Sequence, residues 1–167
     1  MLYSMDPILP EHPVILLLGS MPGAKSLETQ QYYAHPRNHF WPILERVTGI
    51  PFTASDYETK VKLLKEHRIA LWDVIGSCER EGSLDSRIKK ENPNDIGGIF
   101  KKYTKIRACG LNGTKAYTSF TKYVTGDEVY ITKLPSTSPI PGKNVLSFEE
   151  KVEVWRDFLQ PYLKQTI

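Results

Sequence analysis

Tyr33, Arg37 and Asn38 stand close together in the chain, just after an apolar run, Val14-Ile15-Leu16-Leu17-Leu18, that ends in Gly19-Ser20-Met21-Pro22-Gly23. An aromatic ring can stack on a flat base, a guanidinium can hold a phosphate, and a neutral amide can orient a water or a lactam. Delivered to one rim, they suit a ligand that is part base and part phosphate. Three further groups follow the same plan. Asp73 ends the apolar run Ile69-Ala70-Leu71-Trp72, Asn112 follows Ile106 to Leu111, and Ser136-Thr137-Ser138 follows Val129 to Leu134. In open α/β sheets the carboxyl ends of strands are where ligands bind, so these positions are expected to converge.

The elements that must position them can be read from periodicity. Short continuous apolar runs are the mark of parallel strands buried on both faces. Between them, Phe40, Ile43, Leu44 and Val47 fall at helical spacing and stop at Gly49 and Pro51, and a helix is expected to open at His39. Ser55 with Glu58 has the pattern of a capping box for a second helix reaching about His67. A second strand is expected over Arg68 to Ile75, followed by a polar loop from Gly76 to Arg87. Asn94 or Asp95 caps a helix carrying Ile96, Ile99, Phe100 and Tyr103, with Lys101, Lys102 and Lys105 on its outer side and last turn. Thr114 opens a helix through Tyr123, Gly126-Asp127 is a turn, a Ser/Thr/Pro loop runs to Asn144, and Ser147 with Glu150 caps the last helix. Strands alternating with helices imply an α/β fold with a parallel sheet covered on both faces.

A chain of 167 residues, 40% of them hydrophobic, fits a single domain spanning residues 1–167. Its 22 Lys and Arg against 19 acidic residues leave a net charge of +3, compatible with a nucleic-acid partner without demanding one. Cys78 and Cys109 have no metal-ligand spacing and read as reduced structural thiols of a cytosolic protein. With no long apolar stretch, the expectation is a cytoplasmic monomer, nucleoid-associated in a prokaryote, with no membrane contact, no metal and no cofactor.

One competing motif sits in the first loop. Gly19-Ser20-Met21-Pro22-Gly23-Ala24-Lys25-Ser26 matches a P-loop except that Ala24 replaces the last glycine, and Ile69 to Asp73 imitates the magnesium-binding partner strand. Pro22 would remove a backbone donor from inside the cradle. Gln30 to Pro36 is also too polar and too soon broken for the long helix that should follow. The loop is not the Gly-x-Ser-x-Gly of an esterase either.

Taken together, Gly19-Ser20-Met21-Pro22-Gly23, Tyr33-Ala34-His35-Pro36-Arg37-Asn38-His39-Phe40-Trp41, Leu71-Trp72-Asp73-Val74, Leu111-Asn112-Gly113 and Leu134-Pro135-Ser136-Thr137-Ser138-Pro139 resemble the motifs of the uracil-DNA glycosylase superfamily. The likeness is to the hypoxanthine-DNA glycosylase and mismatch-specific uracil/thymine branches. It implies a four-stranded parallel sheet in a three-layer α/β/α sandwich, and a monofunctional enzyme that hydrolyses the N-glycosidic bond of a flipped, deaminated base in DNA. No lysine is placed for a Schiff-base step. Two departures bear on the substrate. Uracil-specific branches carry a catalytic Asp or Asn where this chain has Met21, and a His or Asn where it has Leu134. The hypoxanthine branch shares the first change, which implies Asn38 as the catalytic residue and hypoxanthine ahead of uracil or xanthine.

The remaining roles have two readings each. Tyr33 is a base-stacking ring or a core tyrosine, and Asn38 a water-holding amide or a helix cap, or both. Asn112 is a site amide or a cap. Ser20 and Met21 line the base-binding loop. Arg37, Ser136, Thr137 and Ser138 are expected at DNA phosphates, the serine loop also serving as a wedge in the gap left by the flipped base. Asp73 stands where uracil-specific relatives carry a base-reading Asn, and is either a reader of the N1–H and O6 edge of hypoxanthine or a structural acid.

Overall fold

The computed structural model describes residues 1–125, 129–139 and 145–163. A two-residue strand, β1 (Leu2–Tyr3), precedes the first apolar run, β2 (Ile15–Gly19), whose five residues are all buried. β2 is followed by a short helix, α1 (Ala24–Thr29), then α2 (Phe40–Thr48), α3 (Tyr57–Glu66) and β3 (Ile69–Asp73). Next come β4 (Ile75–Glu79), β5 (Lys89–Pro93), α4 (Ile96–Lys102), β6 (Ala108–Asn112), α5 (Thr114–Tyr123), β7 (Tyr130–Leu134) and α6 (Phe148–Leu163).

The main sheet has four strands and is parallel throughout, as the resemblance implied, and its strand order is β3-β2-β6-β7. Its alternate residues face opposite cores, as strand geometry requires. Ile15, Leu17, Ile69, Leu71 and Ala108 pack with Phe40 and Ile43 of α2, Leu64 of α3, and Trp155 and Leu159 of α6. Leu16, Leu18, Ala70, Cys109 and Leu111 pack with Ile96 of α4 and Ala116 and Phe120 of α5. Three layers follow from those two clusters. Both cysteines are free and buried. Among the described residues no helix is long and apolar enough to cross a membrane.

The helix ends follow their caps with two corrections, one at α3 and one at α2, which opens at Phe40 after a His39 cap. Ser147 Oγ accepts from the Glu150 N–H at 3.2 Å while Glu150 Oε1 accepts from the Ser147 N–H at 2.9 Å, the reciprocal box expected from the sequence. Asp95 caps α4 by accepting from the Gly98 N–H at 2.9 Å. At α3 the cap is Asp56, accepting from the Thr59 N–H at 2.8 Å, and not Ser55, whose hydroxyl donates to the Pro51 carbonyl. Asp56 and Ser55 are neighbours and equally good caps, so sequence alone does not choose between them. The expected turn at Gly126-Asp127 and the end of the loop at Asn144 lie outside the described residues.

The stretch read as a polar loop is instead built into a second, antiparallel sheet of order β1-β4-β5. The chain leaves β3 at Asp73 and turns directly into β4. Asn94 braces that turn, its Nδ2 donating to the Asp73 carbonyl at 2.8 Å and its own N–H to the Val74 carbonyl. Met21, Ile75 and Cys78 form a small apolar cluster between the first loop and this sheet.

Candidate active site

From β2 the chain moves outward to β3, with α2 and α3 on one face; from β6 it moves the other way to β7, with α5 on the opposite face. The carboxyl ends of β2 and β6 therefore form the crevice where strand order reverses, the place an open α/β sheet offers a ligand. A cavity of about 360 Å³ lies there, and Ser20, Met21, Tyr33, Asn38, Asp73, Asn112 and the Ser136–Pro139 loop all line it. That volume is within the range of small-ligand sites. Arg37 is exposed and is not part of the lining.

Asp73 forms the floor. It is 3% exposed, and burial pushes its carboxyl up to about 7, with a long 3.4 Å donation from Ser4 Oγ and the charge of Arg80 opposing the shift in part. Near neutral pH the group is thus divided between acid and carboxylate. As an acid it presents a donor and an acceptor side by side; as a carboxylate it only accepts.

Tyr33 is held from two directions. Its ring stacks on Phe40 of α2, centroids 3.9 Å apart and 13° from parallel, and its hydroxyl accepts from Asn112 Nδ2 at 3.2 Å. The backbone at Tyr33 is left-handed, φ 53°, an arrangement costing a non-glycine residue on the order of 1 kcal/mol. Burial drives the phenol far above its usual range, with the Asp73 charge adding to the effect, so it stays neutral. Asn112 also donates to Thr137 Oγ1 at 3.0 Å and accepts from the Thr137 N–H at 3.0 Å. Both amide hydrogens of Asn112 are therefore spent inside the protein. Thr137 is turned inward at 1% exposure, and its carbonyl accepts from the His39 N–H, which leaves the hydroxyls of Ser136 and Ser138 nearer the rim.

Asn38 lies immediately before the His39 cap of α2, which starts at Phe40 and not at His39, and its Oδ1 accepts from the Phe40 N–H at 2.9 Å. This is an Asx turn one residue ahead of the cap position, which is His39 and carries no side-chain cap bond, and it leaves the Nδ2 hydrogens and one Oδ1 lone pair for the cavity that Asn38 lines. A bond at the start of α2 and a polar group in the cavity are thus compatible in space.

Among the lining residues not expected from the sequence are Ser83, Leu84 and Asp85, carried by the segment between β4 and β5, together with Tyr32 and His35. Ser83 Oγ accepts from the Ala24 N–H at 2.8 Å, Arg80 donates to the Pro22 carbonyl, and Ser20 Oγ donates to Asp85 Oδ1 at 2.7 Å. These bonds also dispose of the P-loop likeness. An N–H that should face phosphate is taken by a serine, and α1 has only six residues. Among the described residues no group of three or more His, Cys, Asp or Glu is placed to hold a metal.

The model of the uracil DNA glycosylase superfamily matches residues 7–159. The chain belongs to this superfamily. Two curated relatives, both named hypoxanthine DNA glycosylase, are 43% identical over 109 residues, in Methanosarcina acetivorans, and 36% identical over 110 residues, in Methanosarcina barkeri. The matches cover 65% and 66% of this chain and 69% and 70% of the relatives. A solution NMR structure of a Methanosarcina acetivorans protein, provisionally named a uracil DNA glycosylase, superposes with a TM-score of 0.78 at 36% identity, covering 93% of this chain and 97% of that one. The motifs that carried the sequence resemblance line the cavity through Gly19 to Gly23, Tyr33, His35, Asn38 and Ser136 to Pro139.

Proposed function

We propose that the protein is a monofunctional DNA glycosylase that removes hypoxanthine from DNA, acting as a monomeric single domain over residues 1–167 without metal or cofactor, in the cytoplasm. The observation that carries this reading is the pairing of a backed aromatic ring with a buried carboxyl in one cavity. Phe40 covers one face of Tyr33 and leaves the opposite face for a flipped base, while Asp73 meets that base at its edge. Protonated, Asp73 donates to O6 of hypoxanthine and accepts from N1–H, and its neutral form spares the site a negative charge beside a departing anionic base. Asn38 orients the attacking water through the polar atoms its bond from Phe40 leaves free. Asn112 and Thr137 act by fixing Tyr33 and the rim, and Arg37, Ser136 and Ser138 meet the DNA backbone. Met21, packed against Ile75 and Cys78, offers neither acid nor amide to a water, which supports purine excision by a route other than the uracil-specific one.

The names of the two curated relatives support the same substrate. The test is single-turnover excision from oligonucleotides carrying inosine, uracil, xanthine or a mismatched thymine, read by alkaline cleavage of abasic sites. Inosine is expected to react fastest. Faster release of uracil than of hypoxanthine would overturn the assignment of substrate while leaving the glycosylase in place.

A further inference from the structure

The cavity contains a second carboxyl that the reading above does not use. Asp85 sits in a 3₁₀ turn, Asp85–Arg87, between β4 and β5, and is exposed where Asp73 is buried. One of its oxygens, Oδ1, accepts from Ser20 Oγ at 2.7 Å; among the described residues no other side chain donates to the carboxylate. The bond to Ser20 is one of three ties between this segment and the first loop. Ser83 to Ala24 and Arg80 to Pro22 are the other two.

An exposed acid at the mouth of a DNA-binding cavity is unfavourable for binding, since the approaching partner is a polyanion. The cost is compensated if the acid faces positive charge during the reaction. When a base is flipped in, it occupies the depth of the pocket and its sugar remains at the mouth. Loss of the base leaves that sugar as an oxocarbenium-like cation. Two carboxyls at two depths, one buried and one in contact with solvent, is also the arrangement that separates an acid from a base in one site.

We propose that Asp85 is the carboxylate that serves the sugar side of the reaction, stabilising the cationic sugar and taking the proton of the attacking water. The assignment rests on the glycosylase reading. In the step, the C1′–N9 bond breaks with its electron pair going to the base, the water oxygen bonds to C1′, one water proton passes to Asp85 Oδ2, and the departing base takes the proton of the Asp73 carboxyl. Solvent then returns Asp73 and Asp85 to their starting forms. Ser20 is a positioning residue, its hydroxyl fixing which oxygen of Asp85 is free. Asp73, Tyr32, Tyr33, Lys25 and His35 are the other titratable groups that line the cavity, and the charges of Asp85 and Arg80 both act on Asp73.

The test compares the wild type with Asp85→Asn, Asp85→Ala and Ser20→Ala in single-turnover excision across pH 5 to 9, alongside affinity for an oligonucleotide holding a non-cleavable fluorinated deoxyinosine. Asp85→Asn and Asp85→Ala are expected to lose about a hundredfold in rate, the scale of a general base. They should also bind DNA as tightly as the wild type or tighter. Ser20→Ala should fall between. Excision by Asp85→Asn within twofold of the wild type, or a rate that falls only in step with affinity and melting temperature, would assign Asp85 to loop structure and overturn the proposal. A wild-type protein that releases no base from any of the oligonucleotides would overturn the functional reading itself, and this assignment with it.

Discussion

Gly19 and Asp73 are register partners across β2 and β3, and a Cβ added at Gly19 would stand 2.5 Å from Asp73 Oδ1 and 3.1 Å from the Tyr33 hydroxyl. The missing side chain is the space in which the carboxyl and the phenol meet. Gly19→Ala is therefore expected to displace both groups, costing about 1 to 3 kcal/mol for overpacking and abolishing measurable excision, while DNA affinity changes little. Stability by denaturant titration and excision on an inosine oligonucleotide check it. A Gly19→Ala protein with wild-type rates would mean that Asp73 and Tyr33 need not hold these positions.

Asp73 also makes a prediction about stability against pH. Its carboxyl is raised from an ordinary 3.8 to about 7 by burial, so the folded state holds this proton more tightly than the unfolded chain does. The contribution is complete below about pH 4 and is lost as pH rises through 7. Asp73→Asn removes this titration and keeps the shape. At pH 8 the variant should be more stable than the wild type, by up to the order of 4 kcal/mol at about 1.4 kcal/mol per unit, and the two curves should converge toward pH 4. Unfolding free energies measured from pH 4 to 8 decide it; parallel curves would show that Asp73 does not titrate in this range.

Tyr33 separates ring from hydroxyl. Tyr33→Phe loses the bond from Asn112 Nδ2, but that amide keeps both bonds to Thr137. A loss of about 1 kcal/mol in stability and only a few-fold in excision is expected. Tyr33→Ala removes the stacking face and should cost about 1 to 3 kcal/mol in binding of the flipped base. Binding to the non-cleavable inosine analogue reads this directly. A phenylalanine variant as weak as the alanine one would place the work in the hydroxyl.

Strands β2, β3 and β6 of the main sheet were legible in the sequence because each is a buried, largely apolar run that ends in or leads into a polar group. That pattern brought Ser20, Asp73 and Asn112 to one edge on paper and in space. The second sheet carries no such signal. β1 has two residues, β4 pairs with register shifts, and the residues of β5 are exposed or half-buried, with Lys89, Lys90 and Glu91 in succession. Strands that bury little have little period to read. Ser83, Leu84 and Asp85 were missed for that reason, since they reach the cavity only through that sheet. Thr137 was misplaced for another. A Ser-Thr-Ser run gives no sign of which hydroxyl points inward, and it is the Asn112 amide, distant in sequence, that selects the middle one.

Asn38 is where local structure and chemistry can be separated. Its Oδ1 accepts from the Phe40 N–H at 2.9 Å, and Phe40 in turn carries the ring of Tyr33, so an alanine at this position would disturb the helix start and the stacking platform together. A drop in activity of Asn38→Ala alone would not say which use mattered. Asn38→Ser keeps an oxygen that can accept from the Phe40 N–H in the same kind of local turn, more weakly than asparagine, but is too short to extend a polar atom into the cavity. Asn38→Ser should therefore melt close to the wild type, while Asn38→Ala loses about 1 kcal/mol. Both should lose about a hundredfold in single-turnover excision, the effect of removing one positioned group from a transition state. DNA affinity should hold in Asn38→Ser. If the serine variant instead excised hypoxanthine at the wild-type rate, the asparagine would be a turn residue and no more, and the water would have to be oriented from another wall of the cavity.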